Sequence, residues 1–189
     1  MSSGPENPGA SFENILKAIQ DKKLPPVHLW NPEFCGDIDI EIKRDGTWFY
    51  NGTPIGRKRL VQLFSTVLRR DGEDTFLVTP VEKLKIKVED APFLVVEVVQ
   101  EGKAKSQVLS FRTLTNDWVV AGKDNPIRVI FDNKTGEPSP YILVRDNLEA
   151  LINRPVFYEL VELAEHVKKG KKEILGVWSG GEFFALGEL

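Results

Sequence analysis

Short segments in which apolar and polar residues alternate, separated by turn sequences, dominate this chain. In residues 38–43 three isoleucines alternate with charged residues, and residues 84–89 repeat the pattern. Such a period of two places one face of a strand in a core and the other in water. Asp45-Gly46 and Gly180-Gly181 are typical hairpin turns. The short connections favour antiparallel pairing, so the sequence predicts a protein built mainly of antiparallel sheets.

Helical periodicity occurs in fewer places. Ser11 can cap a helix, Glu149 three residues after Asp146 predicts a capping box, and Pro155 suits a first helical turn. The predicted helices are 11–20, 57–69, 146–152 and 155–167. Strands are predicted within 38–42, 47–50, 75–79, 84–89, 93–100, 104–111, 118–121, 127–131, 141–144, 174–179 and 182–186. Helices and antiparallel strands in this order predict the α+β class.

The order hairpin, helix, hairpin occurs twice, in residues 38–89 and again in residues 127–186. Aligning Arg57 with Arg154 superimposes the apolar positions of the two helices. Two explanations are open: an internal duplication, or the coincidence of two similar amphipathic helices. A duplication predicts a flexible N-terminus at 1–10, an N-terminal repeat at 11–90 and a C-terminal repeat at 91–189. The crevice between the repeats would then be the natural place for a ligand.

The composition excludes several classes of protein. With 41% hydrophobic residues, 28% charged residues and a net charge of −3, the chain can bury a core and lacks the strongly basic balance of a nucleic-acid binder. One cysteine excludes an intrachain disulfide, and two histidines leave little for a metal site. The N-terminus has neither the basic nor the apolar region of a signal peptide, and no apolar run is long enough to cross a membrane. We therefore expect a cytoplasmic protein that binds neither membranes nor nucleic acid.

The sequence has none of the motifs that usually identify an enzyme. There is no phosphate-binding glycine loop, nucleophile elbow, zinc-protease helix or paired-cysteine motif. Cys35 is expected to be a buried or partly buried thiol, with a nucleophilic role as the alternative. Asp37, Asp39 and Glu41 are expected to form a solvated strand face rather than a cation site. We expect a protein that is not an enzyme and needs no cofactor, with an unrecognised hydrolytic activity as the alternative.

The start of the predicted helix 57–69 carries Arg57, Lys58 and Arg59 and no acidic residue. Cations there oppose the helix dipole, so they either form ion pairs elsewhere or help to bind an anion such as phosphate. Candidate phosphate ligands are Arg57, Arg145 and Arg154. Candidate stacking residues are Tyr141, Tyr158 and Trp178, and Glu82 and Lys83 can add polar contacts.

Long strings of the sequence resemble the bacterial family called domain of unknown function 1285. The strings are PPVHLWNPEFCGDIDI (25–40), DGTWFYNGTPIGRKRLVQLFSTVLRRDG (45–72), LVTPVEK (77–83), VEDAPF (88–93), PYILVRDNLEAL (140–151), RPVFYELVELA (154–164) and GVWSGGEFFALG (176–187). They occur in order and span nearly the whole chain.

The resemblance implies a duplicated core, a C-terminal half like a pleckstrin-homology fold, and a groove between the halves that binds a nucleotide-like ligand in signalling. The turn at residues 101–105 has two lysines beside an acid, which is poor for phosphoinositide binding. We therefore expect a regulatory protein that binds a small anionic, nucleotide-like ligand between its halves. The alternative is a protein–protein interaction module, with a partner received by edge strands or by the segment around Trp30.

Overall fold

The computed structural model describes residues 23–189, so the helix predicted at 11–20 and the N-terminal segment 1–10 lie outside the described residues. Within that range the chain forms two α-helices and fifteen strands. The helices are α1 (Lys58–Thr66) and α2 (Arg154–Glu162). The strands are β1 (Phe34–Ile42), β2 (Trp48–Tyr50), β3 (Thr53–Pro54), β4 (Leu68–Asp71), β5 (Asp74–Val78), β6 (Lys83–Val88), β7 (Phe93–Glu101), β8 (Val108–Thr113), β9 (Trp118–Val120), β10 (Ile127–Phe131), β11 (Pro138–Arg145), β12 (Leu148–Ile152), β13 (Glu165–Lys169), β14 (Lys172–Ser179) and β15 (Glu182–Glu188).

The first twelve strands form two six-stranded sheets with the same topology. The order is β3-β2-β1-β6-β5-β4 in one sheet and β10-β11-β12-β7-β8-β9 in the other. In each sheet, the strands that come first and last in the sequence lie side by side at the centre and pair in parallel. All the remaining pairs of neighbouring strands are antiparallel. We call β1–β6 with α1 the first unit and β7–β12 the second unit. The fold is a sheet-dominated α+β arrangement that is duplicated.

The repeating element differs from the predicted one. Helix α1 lies inside the first unit, between β3 and β4, whereas α2 follows the second unit and leads into the separate three-stranded sheet β13-β14-β15. The hairpin–helix–hairpin alignment was therefore wrong, and Arg57 and Arg154 are not equivalent positions. Two amphipathic helices of equal length produced the false register, because helical periodicity does not report which strands a helix connects.

Both amphipathic helices end earlier than predicted. Helix α1 stops at Thr66, where the hydroxyls of Ser65 and Thr66 donate to the carbonyls of Gln62 and Leu63, and Leu68–Asp71 then pairs with β5. Residues 165–167, expected in the second helix, belong instead to β13, because residues 165–169 pair with β14. A tight turn follows each of these two strands, and each turn contains a glycine in the left-handed region, Gly72 or Gly170.

The short helix predicted at 146–152 is a strand. Asp146 and Asn147 form the turn between β11 and β12, with Asp146 in the left-handed region at φ 48°. Glu149 does not cap a helix; its carboxylate accepts two hydrogen bonds of 2.6 Å from Arg128 on β10. Long-range strand pairing therefore outweighed the local capping signal.

The two units share one hydrophobic core. A single buried cluster contains Ile40 and Ile42 of β1, Leu109 and Phe111 of β8, and Leu160 of α2. Phe111 and Leu160 are fully buried. Because side chains of both units fill the same interior, we expect the units to fold together rather than as separate domains.

Outside the core, Cys35 is exposed rather than buried, and its thiol donates to the carbonyl of Glu33 over 3.3 Å. Within residues 23–189, no helix is long and apolar enough to span a membrane. No cluster of three or more histidine, cysteine or acidic side chains in that same range could hold a metal ion.

Candidate functional site

A groove of about 600 Å³ lies between the two units. Helix α1 of the first unit forms one wall, and the β8–β9 turn and the end of β11 in the second unit form the other. Its described lining residues are Leu24, Arg59, Gln62, Leu63, Thr66, Thr115, Asn116, Asp117, Trp118, Val144 and Arg145. We call it the seam groove. Its volume is within the range of small-molecule sites.

One face of α1 is turned toward the seam groove. Arg59, Gln62, Leu63 and Thr66 follow the spacing i, i+3, i+4, i+7, which places them on one side of the helix. The core-facing residues of α1 lie on another side, so Leu63 is left 61% exposed. No carboxylate of residues 23–189 lies within ion-pair distance of Arg59. The helix therefore presents one cation and one apolar side chain to the groove.

Arg145, at the end of β11, is the second cation of the seam groove and is held on three sides. Its Nη2 donates to the backbone carbonyl of Ser65 over 2.5 Å, and its Nη1 lies 3.4 Å from Oδ1 of Asp117. Its guanidinium also lies 5.0 Å from the centre of the Phe93 ring. Burial lowers the pKa of Arg145 below its ordinary value, and the charges of Asp117 and Asp146 oppose this shift. The group stays cationic at neutral pH, because arginine has a very high intrinsic pKa.

Asp117 is the acidic residue among the described lining residues of the seam groove and is 4% exposed. Its Oδ2 accepts hydrogen bonds from the hydroxyls of Thr115 at 2.7 Å and Thr113 at 3.3 Å. Its backbone N–H donates to the Thr113 hydroxyl over 3.0 Å. These bonds fix the β8–β9 turn, in which Asn116 has a φ of 65°. The turn therefore holds Asp117 against Arg145 and places Trp118 in the wall.

The seam groove has the chemistry of a binding site for a polar anion. Arg145 uses two of the five N–H groups of its guanidinium on Ser65 and Asp117, and the others can bind an oxyanion. The indole of Trp118 is half-buried and can pack on a planar ring. The amides of Gln62 and Asn116 can donate and accept hydrogen bonds.

Of the eight residues predicted from the sequence to bind a ligand, Arg145 lines the seam groove. Arg57 is the N-cap residue of α1 and is exposed, but it does not line the groove. Glu82 is exposed in the β5–β6 turn. Lys83 pairs with Asp71 at 2.8 Å and lies 4.3 Å from the centre of the Phe76 ring. These residues do not converge on one site.

Arg154 and Tyr158 line a second cavity, of about 310 Å³, at the start of α2. Arg154 forms an ion pair with Glu137. Arg44, from the β1–β2 turn, closes the other side; its Nη1 lies 2.7 Å from Oδ2 of Asp90. Each arginine of this cavity thus has its own carboxylate partner.

The remaining two predicted residues have structural contacts. The hydroxyl of Tyr141 donates to Asp90 over 2.7 Å, and the Arg128 guanidinium lies 4.7 Å from the centre of its ring. Burial, together with the hydrogen bond to Asp90 and its charge, raises the pKa of Tyr141. The Trp178 ring on β14 packs against Phe183, with ring centres 5.1 Å apart.

Asp117 and Trp118 were not predicted as site residues, and Arg59 was named only together with Arg57 and Lys58, as part of a basic helix start that could help to bind an anion. One signal in the sequence could have identified Arg59. Leu63 is off the apolar stripe of α1 and four residues after Arg59, so an apolar and a basic residue share a face that does not enter the core. Asp117 and Trp118 had no such signal, because the turn that carries them meets α1 only through the tertiary fold.

Models of one protein family match almost all of the residues that the structure describes. The family models described as the N-terminal domain of "Domain of unknown function (DUF1285)" and the C-terminal domain of "Protein of unknown function (DUF1285)" match residues 25–91 and 92–186. No curated protein sequence matches the chain significantly.

Two crystal structures are similar to this one. A DUF1285 family protein from Silicibacter pomeroyi DSS-3 is 52% identical, with 93% of this chain and 95% of that chain covered and a TM-score of 0.83. A DUF1285 family protein from Shewanella baltica OS155 is 25% identical, with 65% and 90% covered and a TM-score of 0.51.

Proposed function

The chain belongs to the DUF1285 family, and on that premise we propose that it is a non-catalytic regulatory protein that binds a small anionic ligand in the seam groove. Nucleotides are the first ligand class to test. The observation that carries the proposal is that two cationic side chains from different units, Arg59 and Arg145, line one groove of about 600 Å³.

Three properties of the groove support an anionic ligand. Arg59 is exposed and has no carboxylate partner among the residues that the structure describes. Arg145 is fixed in position by Ser65 and Asp117, so binding to it loses little side-chain entropy. Trp118 supplies an aromatic wall for a planar group such as a base.

A ligand held by Arg59 and Arg145 would contact both units at once. It would therefore favour whichever relative position of the units brings the two guanidinium groups closest to its anionic group. This is how binding in the groove would become a regulatory signal, and we propose that the signal is passed on in the cytoplasm.

The test is a thermal-shift screen of the protein against mono-, di- and cyclic nucleotides. A ligand at 100 times its Kd should add about 2.7 kcal/mol of stability, which raises Tm by about 5–10 °C for a chain of this length. Arg59→Ala should abolish most of that shift. The matched control is Arg57→Ala, which removes an exposed arginine two residues away that does not line the groove. Equal loss in both variants, or no shift with any nucleotide, would contradict the proposal.

The alternative proposal is a protein–protein interaction module. It is supported by exposed apolar side chains before and at the start of β1, where Leu29 is 72% and Phe34 57% exposed. A likeness of the C-terminal half to the pleckstrin-homology fold belongs to the same proposal. It is supported by the order of elements in the C-terminal half. The sheet of the second unit is followed by α2, and α2 contacts β7. A pull-down that captures one partner with wild type and loses it with Leu29→Ser, while no nucleotide shifts Tm, would favour this alternative.

A further inference from the structure

Strand β13 (Glu165–Lys169) is an edge strand of the last sheet. In the order β13-β14-β15 it pairs with β14 on one side, and no strand among residues 23–189 pairs with its other side. Four of its five residues are exposed, and Val167 is half-buried. An edge strand presents backbone N–H and C=O groups that can pair with another strand. The outer side of β13 is therefore open to strand addition.

The β13–β14 hairpin determines which groups face outward. Its loop is the two residues 170–171, and Lys169 is paired with Lys172 across it. Residues that flank a two-residue loop exchange both backbone hydrogen bonds, and hydrogen-bonded and non-hydrogen-bonded pairs then alternate along the ladder. The N–H and C=O groups of His166 and Lys168 consequently point away from β14. A partner strand would bond to these two residues.

The order of charges along β13 is complementary to itself. Glu165, Val167 and Lys169 have side chains on one face of the strand, because successive side chains alternate between the two faces. When a second copy runs antiparallel with Val167 opposite Val167, Glu165 of each copy lies opposite Lys169 of the other. In the same register His166 of each copy exchanges backbone hydrogen bonds with Lys168 of the other. Backbone pairing and charge pairing therefore select the same register.

Neighbouring registers lack this match. The alternation of hydrogen-bonded pairs lets the second copy shift only in steps of two residues, and either single step places Val167 opposite Glu165 or Lys169 and removes both ion pairs. Lysines on an edge strand usually keep other strands away. Lys169 would reject a strand that has no carboxylate opposite it and accept one that does, so the edge discriminates among partners.

Lys169 has an electrostatic reason to accept a carboxylate. It faces Lys172 across the hairpin, and Lys172 pairs with Glu188 at 2.9 Å. Within the part of the chain that the structure describes, neither Glu165 nor Lys169 forms an ion pair. Like charges directly opposite each other destabilise a ladder. A carboxylate supplied by a second copy would offset the repulsion between the two lysines.

We propose that β13 joins two copies of this chain, by antiparallel pairing of one β13 with the other about a two-fold axis at Val167. The two three-stranded sheets then form one continuous sheet. An interface built on a single added strand lies at the low end of specific interfaces, below about 1,200 Å² of buried surface. The dimer therefore forms at micromolar or higher protein concentration and dissociates on dilution. Because β13 does not line the seam groove, the proposal is independent of the proposed function.

The first experiment is sedimentation velocity of the whole chain from low micromolar to near-millimolar concentration. The mass should rise from the 21.3 kDa of one chain toward twice that value. Lys169→Glu should raise the Kd of dimerisation at least about tenfold, or about 1.4 kcal/mol, because carboxylates would face each other at both ends of the paired strands. Glu165→Lys combined with Lys169→Glu exchanges the two charges and should restore the wild-type Kd. The matched control is Lys171→Glu, the same charge change in the loop, which should leave the Kd unchanged.

Disulfide crosslinking tests the register. Non-hydrogen-bonded partners have Cα atoms about 4.5 Å apart, which suits a disulfide. With Cys35, the one native cysteine, replaced by serine, Val167→Cys should give a crosslinked dimer on mild oxidation. Lys169→Cys in the same background should not, because the two copies of that position would lie about 14 Å apart.

Three results would overturn the proposal. The first is a wild-type mass that stays at one chain over the whole concentration series. The second is association that Lys169→Glu leaves unchanged or that the charge exchange does not restore. The third is equal crosslinking of Val167→Cys and Lys169→Cys. Far-ultraviolet circular dichroism of every variant should match the wild type, since β13 is exposed, and the crosslinking pair tests the same contact without reversing a charge.

Discussion

Nη2 of Arg145 lies 2.5 Å from the backbone carbonyl oxygen of Ser65, so a side chain of the second unit bonds to the last turn of the helix in the first. Two residues further on, the amide of Asn147 donates to the carbonyl of Arg70 over 3.1 Å. The end of β11 and the turn that follows it thus bond to α1 and to β4, on either side of the connection between them. The wall of the seam groove and the attachment of the two units depend on the same short segment.

Loss of Arg145 should therefore lower stability substantially. Arg145→Ala removes the hydrogen bond to the Ser65 carbonyl and the ion pair with Asp117, in a site where the side chains of Arg145 and Asp117 are 16% and 5% exposed. Removing one partner of a buried pair costs about 3 kcal/mol or more of unfolding free energy, which urea denaturation would measure. The control is Lys172→Ala, which breaks an ion pair whose side chains are mostly exposed and should cost less than about 1 kcal/mol. Equal effects of the two variants would show that Arg145 is not a structural clasp.

The shared core predicts a single unfolding transition. Phe111 of the second unit is fully buried in the cluster that contains Ile40 and Ile42 of the first. Phe111→Ala should cost about 3–5 kcal/mol and should shift the whole transition rather than one part of it. Tryptophan fluorescence and far-ultraviolet circular dichroism should give coincident denaturation curves for wild type and variant. Two separate transitions would show instead that the units unfold independently.

Tyr141 predicts how stability changes at alkaline pH. Burial and Asp90 raise the pKa of its phenol above the ordinary value of 10.0, so the folded protein resists its ionisation. The unfolded chain releases this proton first, and the resulting stability is complete below about pH 10 and lost as pH rises through the folded pKa. Tyr141→Phe should flatten this alkaline loss and remove the last part of the tyrosine absorbance titration at 295 nm. An unchanged titration would mean that the phenol is not protected.

Sequence patterns recovered the elements that are fixed locally. The alternation in residues 38–43 and the Asp45-Gly46 turn gave β1 and its hairpin, and the Gly180-Gly181 turn gave the hairpin of β14 and β15. The sequence patterns located both amphipathic helices, but each predicted helix extends past its observed end. The order of apolar and polar side chains in the last predicted turn fits a strand as well as a helix.

What depends on long-range pairing could not be predicted. Glu149 looked like a helix cap because its partner Arg128 is 21 residues away in sequence and meets it only in the folded sheet, across the intervening strand β11. The seam groove likewise depends on residues that are far apart in the sequence and meet only in the folded protein. Arg59 and Arg145 are 86 positions apart, and the six-stranded topology that brings α1 to the end of β11 is visible only in the pairing of the strands.

Gly176 should be intolerant of any side chain. It lies at the irregularity in the pairing of β14 with β15, and a Cβ there would sit 2.4 Å from the carbonyl oxygen of Phe184 and 2.5 Å from the Phe183 ring. A backbone oxygen cannot move aside without breaking the hairpin, so Gly176→Ala should cost about 1–3 kcal/mol in urea denaturation. The matched control is Gly56→Ala, where a Cβ would meet open space, and its effect should be within about 0.5 kcal/mol. If Gly176→Ala were as well tolerated as Gly56→Ala, the close packing of the last hairpin would be wrong.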